Sequence, residues 1–258
     1  MTQLLSGQAA MVTGASSGLG AHFARLLARH GAAVALAARR IDRVRALADE
    51  ITAGGGQALA LSLDVADAHA IALALDAVEA ALGPLGIMVN NAGVGGEGLA
   101  LDLSIEEIDT VFDVNLRAVF VGAREAARRM IASGKADRDE ARIINIASVA
   151  SYTVLPGLSA YCVSKAGVAM MTKAMAREWA RAGVAVNALC PGYIETEINS
   201  NWFASEAGQK QIKSFPRRRL LDVAGLDEAF LLLAGPGAKT ITGSLITVDD
   251  GQALAGGG

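Results

Sequence analysis

Thr13-Gly14-Ala15-Ser16-Ser17-Gly18-Leu19-Gly20 is the stretch of this sequence that decides its fold. It follows a short apolar run, Ala9–Thr13, that predicts a buried strand, and it precedes an amphipathic segment reaching about Arg29 that predicts a helix. A glycine-rich turn between strand and helix lets backbone approach a phosphate, and the helix N-terminus offers unpaired N–H groups. The spacing is G-x-x-x-G-x-G, not the G-x-G-x-x-G of the usual dinucleotide fingerprint. The turn is therefore either a phosphate cradle or a set of glycines in an ordinary tight turn.

Strand-like and helix-like segments alternate along the rest of the chain. Further buried strands are predicted at 33–37, 58–63, 86–89, 142–147, 184–188 and 245–248. Helices are predicted at 41–53, about 67–82, about 104–133, 161–181 and 226–234. The links are short and contain no repeat or interdomain linker, a pattern that predicts an α/β fold with a doubly wound parallel sheet and helices on both faces. We expect one domain over residues 1–258, with about seven strands.

Composition and charge exclude several classes of function. The chain has 258 residues, is 52% hydrophobic and carries a formal net charge of −3 with both signs scattered, so it lacks the basic field that holds nucleic acid. The sequence contains no signal peptide and no apolar run of spanning length, and we expect a cytoplasmic protein without membrane contact. Cys162 and Cys190 make no disulfide framework, and the three histidines are not spaced as metal ligands, so no metal site is expected.

A hydroxyl and a phenol follow the predicted fifth strand. Ser148 stands at the carboxyl end of that strand, which is where ligands bind in open α/β sheets. Tyr161 and Lys165 lie one turn apart if the next helix begins at Tyr161. A phenol has an ordinary pKa of about 10, and a lysine ammonium one turn away is expected to lower that pKa towards the range useful in acid–base catalysis. The alternative is an accidental pair, because Tyr and Lys at this spacing are common on helices.

The predicted second strand is followed by arginines where many dinucleotide-binding folds have an acid. That acid binds the ribose 2′-hydroxyl, but no Asp or Glu occurs between Gly31 and Ile41. Arg39 and Arg40 stand there instead, which suits a ribose 2′-phosphate. The alternative is two solvated arginines at the start of a helix.

Three other positions are candidate binding residues. Asp64, after the third strand, either binds an adenine amino group or caps the next helix. Asn90-Asn91-Ala92-Gly93, after the fourth strand, either lets a flat ring or ribose lie against backbone or forms a plain turn. Asn115 lies inside a predicted helix, where Asn is mildly unfavourable; it binds a water, bends the helix or is a tolerated polar residue.

The segment 193–222 is the least regular part of the sequence. It holds Trp202, Phe203, Phe215 and Pro216 beside the carboxyl ends of strands, which is typical of an active-site lid. Its aromatic residues, with the apolar residues that follow Ser148, indicate a partly apolar substrate. The charged segment 135–140 is predicted to be a surface loop without a role in the site, and the glycine-rich end from residue 256 is expected to be disordered.

Taken together, these motifs resemble those of the short-chain dehydrogenase/reductase family over nearly the whole chain. Residues 13–20 match its T-G-x-x-x-G-x-G, residues 90–93 match its N-N-A-G, and Ser148 with Tyr161 and Lys165 matches its S…Y-x-x-x-K. Pro191-Gly192 matches the P-G after the sixth strand, and Asn115 stands where the family has its catalytic Asn. Because all of these occur in order and at compatible spacing, the chain is identified as a member of this family, with a Rossmann-like fold.

The resemblance implies an NAD(P)(H)-dependent oxidoreductase that interconverts a carbonyl and a secondary alcohol. Tyr161 would be the acid in carbonyl reduction and the base in alcohol oxidation, and Ser148 would polarise the substrate oxygen. Lys165 would lower the pKa of Tyr161 and bind the nicotinamide ribose, while Asn115 would hold a water that relays protons. The implied cofactor-binding residues are Gly14, Ser16, Ser17, Gly18, Leu19, Arg39, Asp64, Val65, Asn91, Ala92, Gly93, Tyr161, Lys165, Pro191, Gly192, Ile194 and Thr196.

Cofactor, substrate and assembly are predicted more coarsely. NADP(H) is expected to be preferred over NAD(H), because Arg39 takes the place of the acid, although Ser17 stands where some members have a second basic residue. The leading substrate is a ketone or a 3-oxoacyl thioester. The alternatives are a sugar, steroid or small-alcohol dehydrogenase, or a non-catalytic dinucleotide-binding sensor. The resemblance also implies a homotetramer, with the apolar residues of 244–254 in an interface.

Overall fold

A parallel sheet organises the chain in a computed structural model that describes residues 3–197 and 199–254. Within these residues the strands are Ala9–Thr13 (β1), Ala33–Ala38 (β2), Gln57–Ser62 (β3), Leu85–Asn90 (β4), Ala141–Ile146 (β5), Val184–Pro191 (β6) and Leu245–Val248 (β7). They lie in the order β3-β2-β1-β4-β5-β6-β7, and every neighbouring pair is parallel. The predicted doubly wound sheet is confirmed.

Helices cover both faces of this sheet. In the described residues the α-helices are Gly18–Arg29 (α1), Ile41–Ala53 (α2), Ala68–Leu82 (α3), Ile105–Phe112 (α4), Ala118–Ala132 (α5), Ser159–Trp179 (α6), Ser200–Ala204 (α7), Glu206–Ser214 (α8) and Asp227–Ala234 (α9). Side chains alternate across each strand, so Val12 packs in one apolar cluster and Met11 in the other. The first cluster contains the stacked rings of Phe23 in α1 and Phe230 in α9, with centroids 4.2 Å apart.

The reversal of strand order places the candidate residues together. The chain builds β1, β2 and β3 outward in one direction, and then crosses back to lay β4 on the other side of β1. The connections after β1 and β4 therefore leave the sheet on either side of one crevice, at the carboxyl ends of the strands. In open α/β sheets this switch point is where ligands bind.

The helical stretch around Asn115 contains a local irregularity. Ser104 caps α4 with the predicted capping box to Glu107. Residues Asp113–Arg117 then form a single π-helical turn, with Asn115 inside it, before α5 begins. A π turn inserts one residue into the helix and is frequent at functional sites. Of the interpretations open for Asn115, the structure favours a distorted helix over a tolerated polar residue in a regular one.

Several predicted details differ from the structure. Lys135, assigned to a solvated loop, is only 6% exposed, and its ammonium donates to Gln8 and Glu140. Asp67, and not Asp64, caps α3, because only the Asp67 carboxylate accepts from the first backbone N–H groups of that helix. Helix α6 begins two residues before Tyr161. The glycine-rich end from residue 256 lies outside the described residues.

Candidate active site

The turn between β1 and α1 needs glycine at both of its ends. Gly14 has a φ of +68°, and a Cβ there would lie 2.8 Å from the Cα of Ala92. A Cβ on Gly20 would overlap the carbonyl oxygen of Gly14 and the Asn91 amide. The turn is therefore packed backbone to backbone against the loop that follows β4, and any side chain would push the two apart.

Thr13 and Asn91 join the same two loops by hydrogen bonds. The Thr13 hydroxyl accepts from the backbone N–H groups of Asn91, at 3.0 Å, and Ala92, at 3.1 Å. The Asn91 side-chain amide donates to the carbonyl of Thr13 at 2.9 Å. These bonds fix the Asn91-Ala92-Gly93 backbone beside the glycine turn, so the interpretation of residues 90–93 as a plain, independent turn does not hold.

The N-terminus of α1 carries no side-chain cap. Ser17 is its N-cap residue, yet its hydroxyl makes no hydrogen bond to the helix. That hydroxyl accepts instead from the Nη2 of Arg40 at 2.6 Å, and the Ser16 hydroxyl accepts from the same nitrogen at 3.0 Å. The first N–H groups of α1 therefore keep the donor capacity and positive dipole end that bind phosphate groups.

The arginine that reaches the glycine turn is Arg40, not Arg39. Both are exposed, but Arg39 makes no side-chain hydrogen bond within the described part of the chain, whereas Arg40 bonds Ser16, Ser17 and Glu197. Sequence position indicated only that a basic residue follows β2. The direction in which each side chain leaves the turn decides which one meets the loop.

Asp64 and Val65 lie at the adjacent strand end. Val65 lines the same crevice as Thr13, Asn90 and Ala92. The exposed Asp64 carboxylate accepts from the backbone N–H of Ala66 at 3.0 Å, and so turns the chain locally. Val65 thus lies near Thr13 and Ala92, and Asp64 precedes it in the turn after β3.

Ser148, Tyr161 and Lys165 meet beyond the end of β5. Ser148 is buried, and its hydroxyl accepts from the N–H of Ala150 at 3.1 Å. Tyr161 and Lys165 lie one turn apart on α6, and the Lys165 Nζ is 5.6 Å from the centroid of the phenol ring. Lys165 is only 4% exposed, and its ammonium donates to the carbonyl of Ile146 at 2.8 Å. The strand end and the first two turns of the helix thus hold the three side chains together.

Helix α6 is fixed on the sheet by a buried polar chain. Asn90 donates to Asn145 at 2.9 Å, and Asn145 donates to the hydroxyl of Thr172 at 3.0 Å. All three residues are buried, and a buried polar group that loses its partner is costly. The chain therefore resists rotation or sliding of α6, and so holds Tyr161 and Lys165 in register with Ser148.

The protonation states differ from the sequence-based expectation. Burial raises the pKa of the Tyr161 phenol above its ordinary value, and the nearby Ser148 side chain lowers it by a smaller amount. Burial also lowers the pKa of Lys165 to about 8. The expectation that Lys165 depresses the pKa of Tyr161 is therefore not met in this structure. The physical reason is that Lys165 is buried and Tyr161 is partly buried, which disfavours both charged forms, and the ammonium is directed at the Ile146 carbonyl.

Asn115 ties α6 to the loop after β4. It is fully buried; its Oδ1 accepts from the N–H of Val94 at 2.8 Å and its Nδ2 donates to the carbonyl of Val94 at 2.9 Å. The same amide donates to the Ser164 hydroxyl at 3.2 Å. A Cβ on Gly93 would lie 3.3 Å from the Asn115 Oδ1 and 3.9 Å from the Lys165 Nζ. Asn115, Gly93 and Lys165 thus converge, with the Asn115 side chain already engaged.

The segment after β6 closes the other side of the crevice. Pro191 ends β6, and the Gly192 N–H donates to the carbonyl of Val248 at 3.0 Å. A Cβ on Gly192 would overlap the Gln252 side chain. Thr196 reaches back to the glycine turn, since its Cγ2 lies 3.7 Å from the position of a Cβ on Gly18. Ile194 is buried and packs in the cluster that contains α1.

Gln252 and Glu197 are site-bordering residues that sequence reasoning missed. The Gln252 side chain is buried, accepts from the N–H of Tyr193 and donates to the carbonyl of Arg219. Glu197 pairs with Arg40 and Arg43. These contacts join positions 33 to 157 residues apart, and no local pattern in the sequence signals them.

Aromatic side chains occur on the segment after β6 and on the turn after Ser148. Tyr193 stacks on Phe215 with ring centroids 5.1 Å apart, and the Tyr152 hydroxyl bonds the Thr247 hydroxyl at 2.6 Å. Trp202 is half exposed, and its Nε1 donates to Gln211.

The described residues lack two kinds of feature. Residues 3–197 and 199–254 contain no cluster of three or more His, Cys, Asp or Glu side chains able to hold a metal ion. In the same residues, none of the helices combines the length and apolar character needed to cross a bilayer.

Comparison with known proteins gives a consistent result. The family model described as short chain dehydrogenase matches residues 8–207. The oxidoreductase UcpA of Salmonella typhimurium is 35% identical over 258 residues, which cover 97% of this chain and 96% of the relative. The gluconate 5-dehydrogenase of Gluconobacter oxydans is 34% identical over 248 residues, covering 96% and 95%.

A solved structure agrees with these sequence matches. The crystal structure of a gluconate 5-dehydrogenase from Burkholderia cenocepacia J2315, in complex with NADP and tartrate, superposes with a TM-score of 0.92 at 34% identity. The match covers 98% of each chain. The chain therefore belongs to the short-chain dehydrogenase family, and it is an NAD(P)(H)-dependent oxidoreductase that interconverts a carbonyl and an alcohol.

Proposed function

We propose that Tyr161 is the acid and base of this oxidoreductase and that Ser148 holds the substrate oxygen. The observation that supports this most is the convergence of Ser148, Tyr161 and Lys165 at the end of β5, next to the Gly93 backbone. A hydroxyl and a phenol that approach one point can both bond a single carbonyl oxygen. Such a pair polarises the carbonyl and supplies its proton.

The crevice is proposed to bind a dinucleotide. Gly14 and Gly20 let the turn after β1 pack closely on the loop after β4, and the N-terminus of α1 beside that turn carries no side-chain cap, which supports phosphate binding there. We assign cofactor binding to the residues that border the crevice from four sides. These are Gly14, Ser16, Ser17, Gly18, Leu19, Arg39, Arg40, Asp64, Val65, Asn91, Ala92, Gly93, Tyr161, Lys165, Pro191, Gly192, Ile194 and Thr196. A bound nicotinamide supplies or takes up the hydride.

The Tyr161 phenol is protonated at neutral pH. Its ordinary pKa is about 10 and burial raises the pKa further, so the phenol holds the proton that a substrate carbonyl needs as hydride arrives. The Ser148 hydroxyl can donate to the same oxygen and stabilise the developing negative charge. In the oxidising direction the phenol must first lose its proton, and alkaline pH favours that state.

Lys165 and Asn115 have supporting roles in this proposal. The Lys165 ammonium lies beside Gly93, where it can donate to a nicotinamide ribose hydroxyl. Because the Asn115 side chain is engaged with Val94 and Ser164, any water that relays protons from Lys165 would be held by the Asn115 main chain. The amide itself positions Val94 and therefore the loop after β4.

Replacing Tyr161 with Phe tests the mechanism directly. We expect turnover to fall by about 10²–10⁴-fold, the usual contribution of a general acid or base, while the affinity for cofactor stays nearly unchanged. Carbonyl reduction followed at the absorbance of the reduced nicotinamide, with calorimetric titration of cofactor, measures both. Tyr152→Phe, which removes a tyrosine hydroxyl that bonds Thr247 and has no assigned role in proton transfer, is the matched control. Full activity in Tyr161→Phe would remove the assigned mechanism and favour a different proton donor.

The cofactor proposed is NADP(H). Arg40 and the exposed Arg39 stand at the end of β2, where an acidic residue would select the ribose 2′-hydroxyl. We expect a higher kcat/KM with NADP(H) than with NAD(H), and a larger loss for NADP(H) than for NAD(H) in Arg40→Gln. A higher kcat/KM with NAD(H) in the wild-type protein would overturn this preference.

The substrate proposed is a partly apolar ketone, including a 3-oxoacyl thioester. Apolar side chains that line an opening beside the start of α6, among them Leu99, Val154 and Leu155, support it. A sugar-acid dehydrogenase is the second candidate, because two gluconate 5-dehydrogenases are similar to this chain over nearly its whole length. Parallel assays of aliphatic ketones, a 3-oxoacyl thioester and 5-ketogluconate, each with Tyr161→Phe as background, separate the two.

We also propose a homotetramer built from two apolar surfaces. Phe120 of α5 and Met170 of α6 are exposed on neighbouring helices, and Leu232 and Leu254 are exposed near the C-terminal end. Sedimentation velocity is expected to show a tetramer, and Met170→Glu a smaller species. A wild-type monomer at micromolar concentration would contradict the proposal. The cytoplasmic location stays a prediction, tested by cell fractionation.

A further inference from the structure

Glu197 is the acidic partner of two arginines at the cofactor crevice. It lies on the segment after β6, and its carboxylate oxygens are 2.7 and 2.8 Å from the Nη1 of Arg43. One of these oxygens is also 3.3 Å from the Nη1 of Arg40. The two arginines lower the pKa of Glu197, Arg43 by the larger amount. The carboxylate therefore stays ionised at neutral pH and bridges both guanidinium groups.

Arg40 is shared between this carboxylate and the glycine turn. Its Nη2 and Nε donate to the hydroxyls of Ser16 and Ser17 while its Nη1 pairs with Glu197. The end of β2, where Arg40 stands, is the position from which a dinucleotide fold selects between a ribose 2′-hydroxyl and a 2′-phosphate. The anion that Arg40 holds in this structure is thus supplied by the chain itself, from a position 157 residues away in sequence.

A 2′-phosphate and the Glu197 carboxylate cannot both use the same donors. The phosphate carries about −1.5 to −2 charge at pH 7, so it is attracted to Arg40 and Arg43 but repelled by the carboxylate. A 2′-hydroxyl carries no charge and meets no such competition. The arginines therefore favour NADP(H), and the carboxylate works against that preference.

We propose that Glu197 sets the strength of discrimination between NADP(H) and NAD(H), as an internal anion that a ribose 2′-phosphate must displace from Arg40 and Arg43. The inference rests on the proposed use of Arg40 in cofactor binding, and it adds Arg43 as a second cation that the phosphate can reach. Glu197 acts through Arg40 and Arg43 and is a positioning residue. Its side chain is 56% exposed, so the effect of the competition is modest.

The experiment compares two ligands that differ only in the 2′-phosphate. Adenosine 2′,5′-bisphosphate and adenosine 5′-monophosphate are titrated calorimetrically into wild-type protein, Glu197→Gln, Arg40→Gln and the double variant Arg40→Gln/Glu197→Gln. Glu195→Gln is the matched control, because Glu195 is exposed on the same segment and makes no ion pair within the described residues. It removes the same charge without releasing an arginine.

In Glu197→Gln we expect affinity for the bisphosphate to rise by about 2- to 5-fold, the range that an exposed ion pair supports. Affinity for the monophosphate should stay within about 1.5-fold, and Glu195→Gln should match the wild-type protein for both ligands. The gain should shrink at high salt, and it should be smaller in the double variant when compared with Arg40→Gln, because only Arg43 is then left for the carboxylate to occupy.

The outcomes separate this inference from the cofactor proposal. If the wild-type protein prefers the bisphosphate through Arg40 but Glu197→Gln binds it no more tightly, the inference is wrong while NADP(H) preference stands. If the wild-type protein shows no preference and Glu197→Gln gains one, the inference holds and NADP(H) preference fails. If neither protein discriminates, or if Glu197→Gln weakens bisphosphate binding, the inference is overturned.

Discussion

The two sides of the crevice are built in different ways. On the β1 and β4 side, backbone packs directly on backbone, and Gly14, Thr13 and Asn91 join two loops through buried contacts. On the other side, residues 193–222, the predicted lid, are attached to the rest of the protein by ion pairs on the surface and by the Gln252 side chain, in addition to buried side chains such as Ile194. We infer that the first side is a fixed platform and the second an adjustable cover. The first side follows from motifs of adjacent residues in the sequence, whereas the second depends on contacts between residues far apart in the sequence.

The largest expected effect is on the fixed side, in Gly14→Ala. The residue has a φ of +68°, and the new Cβ would lie 2.8 Å from Ala92. We expect a loss in the free energy of unfolding of about 2–4 kcal/mol, of which about 1–2 kcal/mol reflects the left-handed conformation and the rest the steric overlap. Urea denaturation measures the loss.

Gly55→Ala is the matched control for Gly14→Ala. Gly55 has a comparable φ of +85°, but nothing lies within 4 Å of the new Cβ. It should therefore show only the conformational cost. Equal losses in the two variants would contradict the close packing of the two loops and remove the contrast between the sides of the crevice.

Lys165 belongs to neither side of the crevice, and its effect on the stability of the protein depends on pH. Its folded pKa of about 8 lies below the ordinary value of 10.5. Below pH 8 the Lys165 amine is protonated in both the folded and the unfolded state, so the cost of burying the ammonium is fully present. Between pH 8 and about 10.5 the amine stays protonated only in the unfolded state, and the stability of the folded state therefore rises with pH. Lys165→Met should therefore be more stable than the wild-type protein at pH 7, by about 1–3 kcal/mol.

The advantage of Lys165→Met should shrink as pH rises through 8 and nearly vanish above 10. Urea titrations of the two proteins at pH 7, 8.5 and 10 measure it, and the difference between them cancels other titrating groups. A difference that is constant with pH would show that the Lys165 ammonium is not desolvated. Activity is expected to be lost in this variant at every pH.

The smallest effect is expected on the lid side, in Asp250→Asn. Asp250 pairs with Arg217 at 3.0 Å and with Arg219 at 2.9 Å, and both arginines are well exposed. Exposed ion pairs contribute about 0.2–1 kcal/mol, and Asn tolerates the positive φ of this position. We expect a loss below about 1 kcal/mol that disappears in high salt. A loss as large as that of Gly14→Ala would show that the lid is as firmly built as the platform.

Sequence patterns predicted the platform better than the cover. Strand and helix positions, the glycine turn and the order of Ser148, Tyr161 and Lys165 follow from local periodicity and spacing, and the family match agrees with them. The π turn at Asn115 was not predictable, because composition does not reveal one inserted residue in a helix. The pKa of Tyr161 moved opposite to expectation, because spacing along a helix gives neighbours but not burial.

The two arginines after β2 also show what local sequence patterns cannot predict, which is the direction of an individual side chain. The pattern after β2 indicated a basic residue, but the rotation of the chain at the start of α2 directs Arg40, and not Arg39, to Ser16 and Ser17. The pairing with Glu197 depends on how the segment after β6 returns across the sheet. The direction of Arg40 and its pairing with Glu197 both depend on tertiary packing, which a short stretch of sequence does not reveal.

The two bonds of Gln252 have a consequence for engineering. By contacting Tyr193 and Arg219 at once, this one side chain brings the start and finish of a 27-residue excursion together. Residues 193–219 therefore form one segment whose two ends are held together by Gln252, and this segment lies outside the hydrogen-bonded strands of the sheet. Grafting the corresponding stretch of a relative between these two anchor points, with Ile194, Thr196 and Glu197 retained, should alter which molecules are accepted while leaving the proposed dinucleotide pocket and the scaffold intact.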